Sequence, residues 1–452
     1  MLNTPDMPSY LDAERALLQR WPETRLDPSL DRIAALCDLL GQPQRSYPVI
    51  HVTGTNGKTS AARMVDTLLC ALGLRTGRFT SPHLESMTER ITIDGEPISP
   101  ERFAAGYAEV APYAEIVDRS GAHPVSFFEF VTAMGFAVFA DAPADVAVIE
   151  VGMGGTWDST NVADASVAVV TPIGIDHSRY LGDSPSDIAM EKAGIIKPGS
   201  FAVLAQQSAE AAEVLMGHVA EVGATVAREG REFGVVERLP GVGGQLVTFH
   251  GLGAAYDEVF LPLYGAHQAQ NAVCALVAVE AFVGAFDDGL DNEIVREAFA
   301  QVTSPARMEI VRRSPTVLLD AAHNPHGAAA LVEAVQESFA FSPLIGVVGV
   351  MADKDVAGLV DQFEPVMDTI VCTQNSTGRA LPAEELAGIA RGVFGDDRVV
   401  VAPRLDEALD VGVGLAETAD PDAFGVGGGG VLVTGSVITA GEARHLLGGD
   451  RR

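Results

Sequence analysis

Along most of the chain, short runs that are apolar at every position alternate with longer segments whose apolar residues recur every three or four positions. Val146-Ala147-Val148-Ile149 and residues 166–171 are of the first kind. Polar or Gly-rich stretches bound them, and they predict buried strands. Residues 60–72 carry the helical period and stop at Gly73. Residues 127–139 are apolar on nearly every side, which predicts a helix packed against a sheet. Two further helical pieces are expected within residues 9–40, separated near Trp21-Pro22. Strands alternating with helices imply a mostly parallel sheet in an α/β fold.

Residues 225–264 break this rhythm. They form short alternating segments with many Gly and no helical period, and read as a small antiparallel section. Helix is expected again over residues 266–282. After Pro305 a second series begins, with strands over residues 316–320, 344–350, 369–373, 399–402 and 431–434 and helical patterns between them. This predicts an independent doubly wound, Rossmann-like α/β domain. The boundary falls near Ser304-Pro305, giving domains over residues 1–304 and 305–452.

Composition adds limits to this picture. A chain of 452 residues, 47% hydrophobic, is long enough for two or three domains with cores of their own. The net charge of −31 argues against nucleic acid as a partner, although it allows a nucleotide at a locally positive site. Apolar runs such as residues 344–351 are too short to span a bilayer, so no membrane partner is expected. The polar stretch over residues 1–10 lacks the pattern of a secretion signal. The four cysteines, Cys37, Cys70, Cys274 and Cys372, are widely spaced, as reduced thiols would be. Together these predict a cytoplasmic protein, expected to act as a monomer.

The clearest chemistry lies in residues 49–60. The β-branched run Val49-Ile50-His51-Val52-Thr53 leads into Gly54-Thr55-Asn56-Gly57-Lys58-Thr59-Ser60, and an Ala-rich helical segment follows. Strand, Gly-rich turn and helix N-terminus make a phosphate loop. Gly54 and Gly57 let backbone N–H groups face an anion, Lys58 can reach β- and γ-phosphates, and the Thr59 hydroxyl can ligate Mg²⁺. The general P-loop pattern has a Gly five residues before Gly57, where Val52 stands here. The first domain is therefore expected to be a P-loop-type parallel-sheet ATPase domain.

Other polar groups stand at predicted strand ends. Glu150 ends an apolar strand and precedes Gly152-Met153-Gly154-Gly155; it is a candidate Mg²⁺ ligand, with a helix cap or a surface-paired Glu as the alternatives. Asp176-His177 ends the next strand in the same way. Glu191-Lys192 reads, on spacing alone, as a solvated helical pair. Asp320-Ala321-Ala322-His323-Asn324-Pro325 again joins a strand to a helix, where Asp320 and His323 can order a nucleotide or second substrate while Asn324 caps the helix. Arg307 is a candidate phosphate contact.

In this order the motifs resemble the Mur ligase superfamily and, within it, the dihydrofolate synthase/folylpolyglutamate synthase family. The resemblance rests on the phosphate loop, Thr80-Ser81-Pro82-His83-Leu84, Thr88-Glu89-Arg90-Ile91, Phe127-Phe128-Glu129, Glu150 to Gly155, Asp158-Ser159-Thr160-Asn161, Asp176-His177, the segments over residues 191–196 and 267–271, Asp320 to Gly327 and Asp353-Lys354-Asp355. It implies an ATP-dependent acid–amino-acid ligase that joins L-glutamate to dihydropteroate or a reduced folate through an acyl phosphate. It also implies two Mg²⁺ sites, with Ser81, Glu150 and His177 as ligands beside Thr59, and a carbamylated Lys192. Lys58, Lys192 and His323 become catalytic candidates. Asn271 is implied to contact adenine, and Arg307, Asp320 and His323 to complete the ATP and glutamate sites. Phe128 and Asp158 are implied to bind the pterin, and Ser436 the incoming glutamate.

The chain departs from the family pattern at Thr156, where Arg is usual, at Arg179, where an acid is common, and at Ala306, where Gly is familiar. Two alternatives stay open. One is a related Mur-type amide ligase on another carboxylate, such as a peptidoglycan precursor, for which a UDP-binding domain ahead of the loop is expected. The other is a P-loop NTPase regulatory module, which leaves residues 320–327 without a purpose.

Overall fold

In the computed structural model, which describes residues 7–22, 27–418 and 428–448, two units divide the chain. The first comprises residues 1–237, 247–260 and 270–302, and the second residues 238–246, 261–269 and 303–452. The stretches 238–246 and 261–269, which the sequence reading gives to the first domain, thus group with the second. The reason is local. Arg238 forms an ion pair with Glu337, Gln245 Nε2 donates to the carbonyls of Leu263 (2.8 Å) and Gly265 (3.0 Å), and the Tyr264 ring lies 5.0 Å from that of Phe339.

The first unit is built on eight strands: β1 (Val49–Thr53), β2 (Thr76–Phe79), β3 (Ile91–Ile93), β4 (Glu96–Pro97), β5 (Val146–Glu150), β6 (Ala165–Val170), β7 (Phe201–Leu204) and β8 (Thr225–Arg228). Their order is β4-β3-β2-β5-β1-β6-β7-β8. From β2 to β8 every pairing is parallel, while β3 and β4 run antiparallel at one edge. The carboxyl ends of β2, β5, β1 and β6 therefore share one edge, which is where an open α/β sheet carries its chemistry. β1 and β5 are buried at every position, as strands covered on both faces must be. The helix Phe127–Asp141 packs Phe130, Met134 and other apolar side chains into the cluster containing Val49, Ala147 and Ile149.

Residues 225–228 correct the sequence reading. They form β8 and pair in parallel with β7, so the antiparallel section starts later. It is a three-stranded sheet of β9 (Gly234–Gly241), β10 (Gly244–His250) and β11 (Ala255–Leu261), in the order β11-β10-β9. Only Val242 and Gly243 join β9 to β10, and links that short permit antiparallel pairing alone. The helix Pro100–Ser120 has no counterpart in the sequence reading, because Gly106 and Pro112 interrupt its pattern.

The second unit carries β12 (Glu309–Arg313), β13 (Thr316–Leu319), β14 (Leu344–Val348), β15 (Thr369–Cys372), β16 (Val399–Val401) and β17 (Gly430–Thr434), in the order β12-β13-β17-β14-β15-β16. All but β12 are parallel. Successive residues face opposite layers: Leu318, Val348 and Leu432 enter one core, while Val317, Leu319, Val347, Val431 and Val433 enter another. That division is what makes the strands continuously apolar. Among the described residues, no helix is long and apolar enough to cross a membrane, and the four cysteines are free thiols.

Candidate active site

The phosphate loop leaves the carboxyl end of β1 and is held from the side by the segment after β6. Thr171 Oγ1 donates to the Asn56 carbonyl (2.7 Å), Thr55 N donates to the Pro172 carbonyl (3.1 Å), and Thr55 Oγ1 donates to the Gly174 carbonyl (2.8 Å). The turn needs both glycines. Gly54 has φ +144° and a Cβ there would lie 1.8 Å from Thr171 Oγ1; Gly57 has φ +87° and its Cβ would lie 2.3 Å from Asn271 Oδ1. Asn271, the proposed adenine contact, is thus packed directly on the loop. Lys58 opens the helix Lys58–Ala71 and its ammonium donates to the carbonyls of Gly54 (3.1 Å) and Thr55 (3.2 Å). Ser60 is buried in the first turn.

Three of the four residues expected to bind metal are brought together. Glu150, at the end of β5 and almost fully buried, accepts from Thr59 Oγ1 (2.7 Å) on one oxygen and from Ser81 N (3.2 Å) on the other. His177 stands on the loop after β6 with φ +53°, its ring Nε2 4.0 Å from Asp176 Oδ2. Among the described residues, no three His, Cys, Asp or Glu side chains gather as a self-sufficient metal site. One carboxylate beside the Thr59 hydroxyl at a phosphate loop fits Mg²⁺, which takes few protein ligands and completes its shell with phosphate oxygens and water.

Lys192 corrects the reading of a solvated pair. It is 3% exposed, and its Nζ donates to the Gly54 carbonyl at 2.8 Å. The same carbonyl accepts from Lys58, so two lysines meet on one oxygen. Burial first, and the Lys58 charge second, push the Lys192 amine down to about 7. A lysine so placed is available as a neutral nucleophile near neutral pH.

Phe128 and Asp158 lie on either side of the Gly-rich turn after β5. A Cβ on Gly152 would come within 2.5 Å of Phe128 Cζ, so the ring rests on bare backbone. Asp158 is 3% exposed and accepts from Met153 N (2.9 Å), Thr160 N (2.9 Å) and Thr160 Oγ1 (2.5 Å). Burial raises its carboxyl above the usual range against these bonds. Thr156 donates through both N and Oγ1 to the Glu191 carbonyl (2.9 and 3.0 Å), tying this turn to the Lys192 helix. The Arg179 guanidinium lies 5.4 Å over the ring of its neighbour Tyr180.

In the second unit, Asp320 follows β13 and is buried; it accepts from Ala322 N (2.8 Å) and Met308 N (3.0 Å). Burial raises its carboxyl while Arg307 opposes the rise. Arg307 lies between Ala306 and Met308, which hold φ values of +54° and +50°; the left-handed turn explains why Gly suits position 306. The His323 ring places Nδ1 3.0 Å from the Ala321 carbonyl, which can only accept. A neutral His323 therefore carries its proton on Nδ1 and a lone pair on Nε2. Asn324 Oδ1 accepts from Gly327 N (2.8 Å), capping the helix Pro325–Ser338. Ser436 caps the helix Val437–Leu446, and the adjoining Gly435 N donates to the Ala322 carbonyl (3.1 Å). Ser436 and His323 are thus on neighbouring turns.

The sequence reading assigned no role to Thr53, Thr171 or Thr160. For Thr53 and Thr171 the visible signal is a hydroxyl at the end of a largely apolar buried run, and for Thr160 it is membership of the polar motif Asp158-Ser159-Thr160-Asn161.

A phosphate loop with an adjoining hard-oxygen site, and a second α/β unit with its own polar strand-end cluster, define an ATP-dependent ligase. Two family models match accordingly: the Mur ligase middle domain over residues 130–279, and the Mur ligase, glutamate ligase domain over residues 306–436. The chain is 53% identical to dihydrofolate synthase/folylpolyglutamate synthase of Mycobacterium tuberculosis, over 99% of this chain and 96% of that protein. It is 34% identical to folylpolyglutamate synthase of Lacticaseibacillus casei, over 92% and 94% of the two. The solved structure of Mycobacterium tuberculosis folylpolyglutamate synthase complexed with ADP superposes with a TM-score of 0.94 at 52% identity, covering 98% of this chain and 99% of that one. The chain belongs to the dihydrofolate synthase/folylpolyglutamate synthase family.

Proposed function

We infer that this chain joins L-glutamate to the carboxylate of a dihydropteroate or reduced folate, with ATP converted to ADP and phosphate. The activity is that of its family. The observation that most supports it in this molecule is the meeting of Lys58 and Lys192 at the Gly54 carbonyl beside the Thr59–Glu150 pair.

The substrate carboxylate attacks the γ-phosphorus, the bond to the β-phosphate oxygen breaks, and an acyl phosphate and ADP result. The backbone of residues 54–59 and the Lys58 ammonium would hold the phosphates and take up charge as the bridging oxygen leaves. Thr59, Glu150, Ser81 and His177 would hold Mg²⁺, which supplies neutralisation of the phosphate oxygens. Asn271, Arg307 and Asp320 would fix the nucleotide. The glutamate α-amine then attacks the acyl carbon, and phosphate leaves from the tetrahedral intermediate. His323 Nε2 is the acceptor for the proton that the amine loses, and Ser436 would contact the same substrate. Phe128 would stack on the pterin, while Asp158 would bond its ring nitrogens.

Lys192 is proposed to act as a carbamate. Its neutral amine adds to carbon dioxide and loses a proton, turning a buried cation into an oxygen ligand. The free thiols agree with a reducing cytoplasm, and we read the protein as a monomer. ADP release should be measured with dihydropteroate, tetrahydrofolate and a peptidoglycan precursor in turn, with and without glutamate. Release that requires both glutamate and a pterin substrate is expected; release indifferent to glutamate overturns the assignment.

A further inference from the structure

We propose that His51 is a positioning residue for the pterin substrate, acting through Thr160 on the Asp158 carboxylate. This rests on the assignment of Asp158 to the pterin. His51 is completely buried in the middle of β1, between the apolar Ile50 and Val52. Its Nε2 lies 2.9 Å from Thr160 Oγ1, whose single proton is directed to Asp158 Oδ1 at 2.5 Å. Thr160 must therefore accept from His51, so the imidazole carries its proton on Nε2. Burial, with the Lys197 charge adding to it, pushes this imidazole down to about 3, so Nδ1 holds only a lone pair. Nδ1 has no hydrogen-bond partner. An unpartnered polar atom in a dry interior opposes folding, so the bond to Thr160 is what a histidine supplies here that valine or leucine would not.

A second contact from the same face of β1 supports the idea. Residues 51 and 53 project to one side of the strand, and Thr53 Oγ1 donates to the Gly154 carbonyl at 2.8 Å. β1 thus holds the loop over residues 152–160 at two points, Gly154 and Thr160, which flank Asp158. The same strand runs straight on into the phosphate loop. One rigid, fully buried strand therefore sets the place of the phosphates and that of the Asp158 carboxylate. A carboxylate to be phosphorylated and the pterin at the far end of the same substrate need that fixed spacing.

The test is steady-state kinetics with His51→Leu, His51→Gln, Thr160→Val and Asp158→Ala. Loss of one hydrogen bond predicts a KM for dihydropteroate and tetrahydrofolate about tenfold higher in His51→Leu and Thr160→Val, with the KM for ATP within about twofold of the parent. The Gln amide presents an N–H near the place of Nε2–H, so His51→Gln is expected to recover most of the loss. Thr160→Val decides the matter if His51→Leu does not fold. ATP and pterin KM values that rise together, or a pterin KM unchanged in Thr160→Val, overturn the proposal. An unchanged pterin KM in Asp158→Ala overturns the Asp158 assignment itself. A raised KM in Asp158→Ala beside parental values in the other variants removes the relay alone.

Discussion

Thr59 and Glu150, separated by 91 positions in the chain, meet in a 2.7 Å hydrogen bond from hydroxyl to carboxylate. The bond joins the first turn of the phosphate-loop helix to the end of a neighbouring parallel strand, and the other carboxylate oxygen reaches Ser81 N. Glu150→Gln keeps the shape and removes the charge. Even the outer partners of metal ligands are worth ten- to a hundredfold, so ADP release should fall by about a hundredfold or more at limiting Mg²⁺. A titration of rate against Mg²⁺ at fixed ATP checks this, and a parental Mg²⁺ requirement would count against Glu150 as a ligand.

Lys192 gives a pH dependence with a definite sign. Its amine titrates near 7 in the folded protein against 10.5 ordinarily. Between these values the unfolded chain binds the extra proton, so the destabilisation due to Lys192 is full below about 7 and fades as pH rises towards 10.5. The neutral amine is also the form that takes up carbon dioxide. With dissolved carbon dioxide held equal, enzyme depleted of it should regain activity faster above about pH 7 than below it. Lys192→Arg should regain none, and a ¹³C-labelled carbamate signal should be absent from it.

His323→Asn should lower kcat/KM for glutamate while leaving the KM for ATP near the parent value. Asn retains a donor for the Ala321 carbonyl but presents no basic nitrogen in place of Nε2. Varying glutamate at saturating ATP checks it, and equal losses for both substrates would argue for a role in the nucleotide site instead.

Gly152→Ala should act as a substitution of Phe128 without touching it. The new Cβ would stand 2.5 Å from Phe128 Cζ, so the ring must move. Stacking of an aromatic side chain on a heterocycle is worth about 1–3 kcal/mol, so Phe128→Ala should raise the pterin KM by about tenfold or more. Gly152→Ala should move the same constant in the same direction, and the double variant should add little to Phe128→Ala.

Asp66 and Arg78 test stability apart from catalysis. They pair at 2.8 Å with side chains 1% and 4% exposed. Removing one partner leaves a buried charge, so Asp66→Asn or Arg78→Leu should destabilise the first unit by about 3–5 kcal/mol, whereas an apolar double replacement should cost less. Urea unfolding of the single and double variants measures the difference.

Much of this was legible in one dimension. The apolar runs at 146–149 and 166–170 are strands because a strand covered on both faces has no polar position to reveal. The phosphate loop announces itself because Gly54, Gly57, Lys58 and Thr59 are adjacent in sequence as well as in space. The second α/β series, its Asp320–Asn324 turn and the family assignment follow from equally local patterns. Residues 225–228 misled, since a short edge strand followed by a meander carries no mark of which sheet it joins. The helix Pro100–Ser120 was hidden by its own Gly106 and Pro112.

Only the tertiary structure decided what local chemistry becomes. Lys192 looks like half of a solvent-exposed pair until the fold buries it against the Gly54 carbonyl, beside Lys58, where desolvation brings its amine to about 7. His51 looks like one more strand residue until the Thr160 hydroxyl, 109 positions away, arrives within 2.9 Å of its Nε2. Sequence by itself determined which segments are strands, helices and phosphate loop, because backbone preference and hydrophobic period act between near neighbours. Which charges are dry, which hydroxyls are paired and which carboxylates meet a donor depend on contacts between distant segments, and only the packed sheet creates those.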